Sequence, residues 1–496
     1  MRSSDFYQFA FPVDDCDDDS FMDPKYTVGE GKSIEENVAS INTQLNRLVS
    51  ENLDLQNKLN RQSDELSETK AQLRGFTSGL GPLIESTSDS DVIRLKTLRK
   101  ESIVHSSLLE IFNVPEFTRI IIGDLKPRLA RLLTPCLPAY LLLAAFRYHD
   151  HAKDETGLTG LFTGVHDALK DTVMQTSDMD VLALWLVNSW RLFNLLRQYS
   201  GENNNEWFAA NSETQNSYRM QSFDLEPIRN QLSARVEDCF QSFMKRAVEP
   251  VLSPKIVPAI LQHESGHDSF LTSSDDNLKR QSSKEQHSSQ KSLDDLVEFL
   301  NFIHTKLKVY GADMVLLRQV FGQMAYWICA LALNHLMFRK ELCNFEKAIQ
   351  IKHNVTEIQN WLGNNGFAEH KEALEPLVQA SHLLQSKKDE HNLDTLCGDM
   401  TSKLKPRQVI SILQHYSPSE GFEERRMDSE FLIKVAEKLA ERTKKMGGTA
   451  EDQNALIMMG TYLKPFDLEP FVYSEFPLET LSLPTCLHLQ SVCQLL

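Results

Sequence analysis

A heptad repeat over residues 34–76 constrains the fold of this 496-residue chain more than any other feature. Apolar residues recur at spacings that alternate between four and three, which is the period of a left-handed coiled coil. The predicted seam includes Val38, Ile41, Leu45, Leu48, Asn52, Leu55, Leu59, Leu66 and Leu73. An apolar stripe this narrow is buried by a partner helix, so the repeat predicts an oligomer.

Asn52 is the informative member of this seam. A buried amide at an a position must pair across the interface, which penalises slipped registers and favours a parallel dimer. Leucine at a with isoleucine at d pulls toward higher oligomers, and a single long helix packed on the rest of the chain is an alternative. Gln62 and Thr69 weaken the end of the seam, and Gly75 precedes a Gly-containing run that ends the helix. We expect a parallel coiled-coil homodimer.

The remaining composition divides the chain into segments. Residues 1–33 carry five aspartates between positions 14 and 19 and lack periodicity, which predicts an acidic disordered segment. A linker is expected over 77–92. Beyond it, helical periodicity predicts an all-α globular part with one subdomain over 93–262 and another over 293–496. Nine serines and few apolar residues predict a flexible loop between them, at 263–292.

Two helices of the globular part are predicted most clearly. One begins at Ser177-Asp178, a suitable N-cap, and ends near Gly201, with apolar residues almost all around it. The other runs from about Asp313 to Phe338. No stretch shows sustained strand alternation.

Charge and apolar content exclude several classes of partner. The formal net charge of −17 argues against nucleic acid and against an anionic lipid surface. The most apolar stretches, 137–146 and 324–338, are shorter than the ~20 residues that cross a bilayer, so we expect buried helices and no membrane insertion. None of the eight cysteines falls in a CxxC pair, which indicates reduced cytosolic thiols without a zinc ribbon.

Three short patterns resemble catalytic motifs, and each lacks the required context. His263, Glu264 and His267 match the H-E-x-x-H zinc motif, the basis of a remote zinc-hydrolase alternative, but Gly266 interrupts the helix that this motif needs. Residues 31–33 (Gly-Lys-Ser) lack the first glycine of a P-loop. The cluster His149-Asp150-His151 has no further ligand tied to it. We therefore expect no enzyme, no metal and no cofactor.

A modification site is a stronger hypothesis. Ser282 and Ser283 follow Lys279 and Arg280 in the serine-rich segment, where a basophilic kinase would find a basic recognition sequence. A phosphate would add close to two negative charges and change how this segment docks. The alternative is an unmodified polar loop.

Several separated motifs resemble, in order, the dilute domain of class V myosin tails. They are Leu132-Leu133-Thr134-Pro135-Cys136-Leu137-Pro138, Gln198-Tyr199-Ser200-Gly201-Glu202, Leu336-Met337-Phe338-Arg339-Lys340-Glu341-Leu342-Cys343, Leu374-Glu375-Pro376-Leu377-Val378-Gln379-Ala380, Phe422-Glu423-Glu424-Arg425 and Pro465-Phe466. The resemblance covers residues 93–496 and implies an elongated globular tail of two packed helical-bundle subdomains after the coiled coil.

The same resemblance implies function. Such tails bind cargo adaptor proteins and Rab-type small GTPases on vesicles for actin-based transport, and they fold back on the motor head to inhibit it. Candidate head-docking residues are Arg339 and Lys340. A second basic position of the family is Ser411 here, with Lys403, Lys405 and Arg407 nearby, which puts head docking in doubt. The implied location is cytoplasmic, on vesicles and the actin cytoskeleton.

The 496 residues contain no complete P-loop, no actin-binding head and no calmodulin-binding IQ repeat. This chain is therefore not expected to hydrolyse ATP or move along actin. Two interpretations stay open: a fragment of a longer myosin, or a motorless tail that competes for cargo or inhibits myosin in trans.

Overall fold

The structure is a computed structural model that describes residues 108–201, 206–262, 279–418, 428–447, 449, 453–473 and 481–496. These residues all belong to one compact unit, Thr97–Leu496. The acidic segment 1–33, the heptad repeat 34–76, the linker 77–92 and the H-E-x-x-H sequence at 263–267 lie outside the described residues, so their interpretations stay predictions.

The described residues are predominantly helical, as predicted. In chain order, the helices are α1 Val114–Thr118, α2 Pro127–Ala130, α3 Leu137–Ala152, α4 Glu155–Gln175, α5 Met179–Gln198, α6 Glu206–Ala210, α7 Glu213–Ser217, α8 Glu226–Ser242, α9 Glu249–Val257, α10 Lys279–Val309, α11 Met314–Phe338, α12 Phe345–Asn364, α13 Glu375–Gln385, α14 Leu393–Cys397, α15 Pro406–His415 and α16 Ser429–Lys445. Shorter π-helical segments follow α1, α8 and α9, at Arg119–Gly123, Phe243–Val248 and Pro258–Gln262.

The two clearest sequence predictions are confirmed. Helix α5 is capped by Asp178, whose carboxylate accepts the backbone N–H of Asp180 at 2.7 Å. Helix α11 is capped by Asp313, which accepts the N–H of Leu316 at 3.0 Å. Side-chain caps of this kind satisfy donors that the first helical turn leaves unpaired.

Helix α11 is the one described helix that is long and apolar enough to cross a membrane. However, 67% of its most apolar window is buried inside the unit. The helix therefore has the character of a core helix, as the sequence led us to expect, although at 25 residues it is longer than the apolar stretch 324–338.

Buried side chains from both predicted subdomains belong to one continuous hydrophobic core. Polar contacts also join the halves: Trp190 Nε1 on α5 donates to Asp313 at 2.8 Å, and Lys306 on α10 pairs with Asp180. The division at 263–292 itself stays a prediction.

The predicted flexible loop is wrong in its second half, because α10 begins at Lys279. Residues 279–292 contain neither glycine nor proline, and lysine, arginine, glutamine and glutamate propagate a helix well. The following turns pack into the core through the buried side chains of Leu293, Leu296 and Leu300. Extending a helix costs far less free energy than nucleating one, so the helix continues from these turns back to Lys279. Ser282 and Ser283 consequently lie on helical backbone and not in a loop; whether they are phosphorylated stays a prediction.

A short antiparallel ribbon closes the unit. Strand β1, Leu109–Ile111, pairs with strand β2, Cys493–Leu495, so that Leu109 lies opposite Leu495. Three-residue strands are too short to produce a recognisable alternation in the sequence.

Residues 456–473, which we call the strap, run along α11 and α5 without regular secondary structure. Three amide side chains of α11 hold it, each donating to and accepting from its backbone at 2.7–2.9 Å. The pairs are Asn334 with Met458, Gln323 with Tyr462 and Lys464, and Gln319 with Asp467. These side chains replace the neighbouring strand that an extended segment would otherwise need.

The end of the strap is fixed on α5. The Gln198 amide donates to the Tyr473 carbonyl at 3.0 Å and accepts its N–H at 3.1 Å. The Tyr473 hydroxyl donates to Asp313 at 2.9 Å, and its ring covers the Arg191 guanidinium at 3.7 Å. The strap therefore ties both predicted halves together.

His304 on α10 is enclosed by aromatic rings, with centroids 5.8 Å from Phe321, 6.2 Å from Trp361 and 5.7 Å from Phe367. Burial lowers the pKa of His304, and the nearby Lys308 lowers it further. The unfolded chain then binds this proton more tightly than the folded chain, so acid destabilises the fold.

We expect the free energy of unfolding of the full chain to fall as the pH drops through about 6.5, the pKa of an unfolded histidine. His304→Phe should make this dependence shallower, because the ring stays and this proton site goes, while His370 and His382, whose pKa values burial also lowers, still contribute. Urea unfolding at several pH values measures it. His353→Gln, at an exposed histidine of α12, is the control and should keep the wild-type slope; an equally steep slope in the His304 variant would contradict the assignment.

Candidate partner-docking surface

The candidate head-docking residues lie just beyond α11. Arg339 is extended and pairs with Glu341 at 2.8 Å, whereas Lys340 opens a short turn and is exposed. Within the part of the chain that the structure describes, no acidic side chain lies within 4 Å of the Lys340 ammonium. Of the two, Lys340 is the cation available to a partner.

The packing of helix α15 against the end of α11 explains why position 411 holds a small polar residue. The Ser411 hydroxyl is buried and donates to the Met337 carbonyl at 3.0 Å. The Ser417 N–H donates to the Cys343 carbonyl at 2.9 Å, so the end of α15 lies beside the end of α11. A lysine at 411 would have to leave this interface to reach solvent.

The nearby basic residues do not restore that position. Lys403 pairs with Glu372 at 2.5 Å. Lys405 and Arg407 are exposed at the first turn of α15. The ten residues of α15 span about 15 Å. This length separates Lys405 and Arg407 from Lys340, which lies near the other end of α15. The Lys340 carbonyl thus lies beside Ser417, just after the C-terminal end of α15, whereas Lys405 and Arg407 lie at its N-terminal end.

A groove of about 840 Å³ lies between α4 and the segment formed by α1 and its following π-helical turn. Small residues of α4 form much of its wall: Gly157, Gly160, Gly164 and Ala168. A Cβ added at Gly160 would meet no atom within 4 Å, so the groove is open there. Its volume is in the range of sites that enclose a ligand or a few side chains.

Arg119 and Asp171 give the groove polar borders. Arg119 is anchored by Glu116 at 2.6 Å and also pairs with Asp124. No prediction from the sequence pointed to this groove. A signal existed, because Gly157, Gly160 and Gly164 fall on one helical face, but glycines on one face equally predict close helix packing.

The cluster at positions 149–151 has structural contacts. The Asp150 carboxylate accepts the N–H groups of Gln221 and Ser222, both at 2.9 Å. His149 Nδ1 lies 3.0 Å from Asp154. Among the described residues, no group of three histidine, cysteine or acidic side chains is arranged to hold a metal ion. These contacts join the end of α3 to the segment before α8.

Comparison with known proteins gives one family match and a set of relatives. Residues 319–420, from α11 to beyond α15, match the DIL domain. Unconventional myosin-Va of Gallus gallus is 31% identical over 468 residues, covering 91% of this chain and 25% of the relative. Unconventional myosin-Vb of Rattus norvegicus is 29% identical over 463 residues, covering 91% of this chain and 24% of the relative. The chain thus spans about a quarter of the length of the curated relatives it matches.

Among solved structures, the chain is similar to a myosin V cargo binding domain, with 18% identity and a TM-score of 0.44. The match covers 73% of this chain and 86% of that domain. The Myo4p globular tail domain has 16% identity and a TM-score of 0.49, and the match covers 74% of this chain and 96% of that domain.

Proposed function

This chain is homologous to the tails of class V myosins over 91% of its length and carries a DIL domain, and from this we propose that it is a cargo-binding module and not an enzyme. The homology is the observation that carries the proposal. Its proposed partners are cargo adaptor proteins and Rab-type small GTPases on vesicles, in the cytoplasm and along actin. The heptad repeat at 34–76 would pair two chains and double the number of cargo sites.

We place adaptor docking in the groove beside α4. Its open wall at Gly160 and its polar borders suit a short segment that inserts one or two apolar side chains and is positioned by charge. The buried, strap-tied core supports this role, because a rigid scaffold holds a groove in its binding shape.

Gly160→Trp tests the groove. A tryptophan on this face would fill the open space, and we expect at least a tenfold loss in recovery of the tagged 496-residue chain on floated vesicles. The matched control is Thr159→Trp, which adds the same large ring to the same helix. Thr159 is exposed on the same helix and does not line the groove.

The outcomes are distinct. Unchanged recovery of the Gly160 variant would move docking away from the groove. Absence of the wild-type chain from every vesicle fraction would count against the proposed function itself.

A second candidate function is a motorless tail that competes for cargo or binds the motor head in trans. The exposed Lys340 supports it, because a cation without a described acidic partner is free to meet an acidic surface. An immunoblot of the native protein separates the two interpretations. A band several times heavier than 56.7 kDa supports the tail of a full motor, in which head contact is autoinhibition. A band near that mass supports the competitor.

A further inference from the structure

A small pocket of about 180 Å³ lies where the strap crosses α11. Its wall includes Gly322 of α11, Phe240 of α8, His370 and Lys464. Sites that enclose whole small molecules usually measure about 300 Å³ or more. This pocket is therefore sized for a single charged or polar group and not for a nucleotide.

Two nitrogen atoms at this pocket, Lys464 Nζ and His370 Nε2, have no hydrogen-bonded acidic partner among the described residues. Lys464 is half-buried, and no acidic side chain in the described ranges lies within 4 Å of its ammonium. The Nε2 atom of His370 is buried and has no hydrogen-bond partner there. Burial lowers the pKa of Lys464 and is also the main cause of the lowered pKa of His370. Partial burial costs the Lys464 ammonium some of its hydration, and a ligand that supplies oxygen atoms would offset this cost.

The other charged groups set the kind of ligand. Arg318 is already paired with Glu369 at 3.0 Å, and Glu369 also lies 3.8 Å from His370 Nε2. Asp467 and Glu469 are exposed at the rim. These carboxylates would repel a dianionic phosphate more strongly than a monoanion.

We propose that this pocket binds a carboxylate, contributed by an aspartate or glutamate side chain of a partner protein, with Lys464 as its counter-ion and His370 beside it. The ligand oxygens give the Lys464 ammonium the anionic partner that no described acidic side chain supplies within 4 Å. The proposal rests on this pocket and not on the groove beside α4 or on the proposed function.

Chemical footprinting of the full chain tests the site with simple probes. Lys464 is labelled with an amine-reactive ester and His370 with diethyl pyrocarbonate, and peptide mass spectrometry follows both rates. We expect sodium acetate to slow both reactions several-fold relative to sodium chloride at equal ionic strength. Lys352 and His353, exposed on α12, are internal controls whose rates should not change.

Variants and a second anion make the test decisive. Lys464→Gln should abolish acetate protection of His370, whereas Lys464→Arg should retain it; the backbone N–H of Lys464 still binds Gln323 in both. Equal rates in acetate and chloride would overturn the proposal. Stronger protection by inorganic phosphate than by acetate would overturn the choice of a carboxylate and assign a phosphate site.

Discussion

Asp313→Ala is expected to lower the free energy of unfolding of the full chain by about 4 kcal/mol, as measured by urea unfolding. One carboxylate caps α11 and accepts hydrogen bonds from Trp190 and Tyr473, two buried donors on different parts of the chain. A lost N-cap costs about 1 kcal/mol, and each buried donor left unsatisfied costs about 1–3 kcal/mol.

Asp313→Asn separates these contributions. In Asp313, Oδ1 accepts from the helix N–H and Oδ2 accepts from both Trp190 and Tyr473, so the single oxygen of asparagine can serve either the cap or the two buried donors. We therefore expect a smaller loss of about 2 kcal/mol, because the oxygen can stay with the two buried donors while the amide NH2 replaces the acceptor of the helix cap. Asp294→Asn is the control, at an exposed aspartate of α10, and should stay within about 0.5 kcal/mol of wild type. Equal stability of the Asp313→Ala variant and this control would refute the role assigned to Asp313.

The second large effect is expected at Arg442 of α16. Its guanidinium donates to the carbonyls of Cys397 at 3.1 Å, Thr401 at 3.0 Å and Leu404 at 2.9 Å. It therefore satisfies acceptors where α14 and the next turn end. Arg442→Ala leaves these carbonyls without their donor and removes the packed stem, for a loss of about 3 kcal/mol.

Hydrogen exchange locates this effect. Backbone amides between Cys397 and Leu404 should exchange faster in the Arg442→Ala variant before the whole unit unfolds. Arg442→Lys keeps the charge but cannot reach three carbonyls with a rigid fork, so an intermediate loss is expected. Lys444→Ala, at an exposed position of the same helix, should change neither stability nor exchange. Wild-type exchange in the Arg442→Ala variant would contradict this assignment.

Helices α5 and α11 could be predicted because each is long, apolar and capped by an aspartate. Their signals are local, so a single sequence contains them. The start of α10 could not be predicted, because polar residues without glycine or proline are compatible with both a loop and an extended helix. The helix is favoured over the loop because its second half is buried in the core.

The candidate sites depend on contacts between distant parts of the chain. The strap has no periodicity of its own, and its partners lie far away in sequence: Asn334 and Met458 are 124 residues apart, and Gln198 and Tyr473 are 275 apart. The pocket at Lys464 exists only because the strap crosses α11. By contrast, the exposure of Lys340 follows from its place just after a helix end, which the sequence does show.

Because Leu109 pairs with Leu495, the fold cannot be completed until almost the whole chain has been translated. About 150 residues must be translated after α11 before β2 is available, which takes on the order of ten seconds or more. During that interval α11, with its buried apolar faces and its strap-binding amides, waits without its final covering. We expect a nascent chain in this state to be bound by chaperones, and a premature stop codon before the strap would release a product that lacks the residues covering α11.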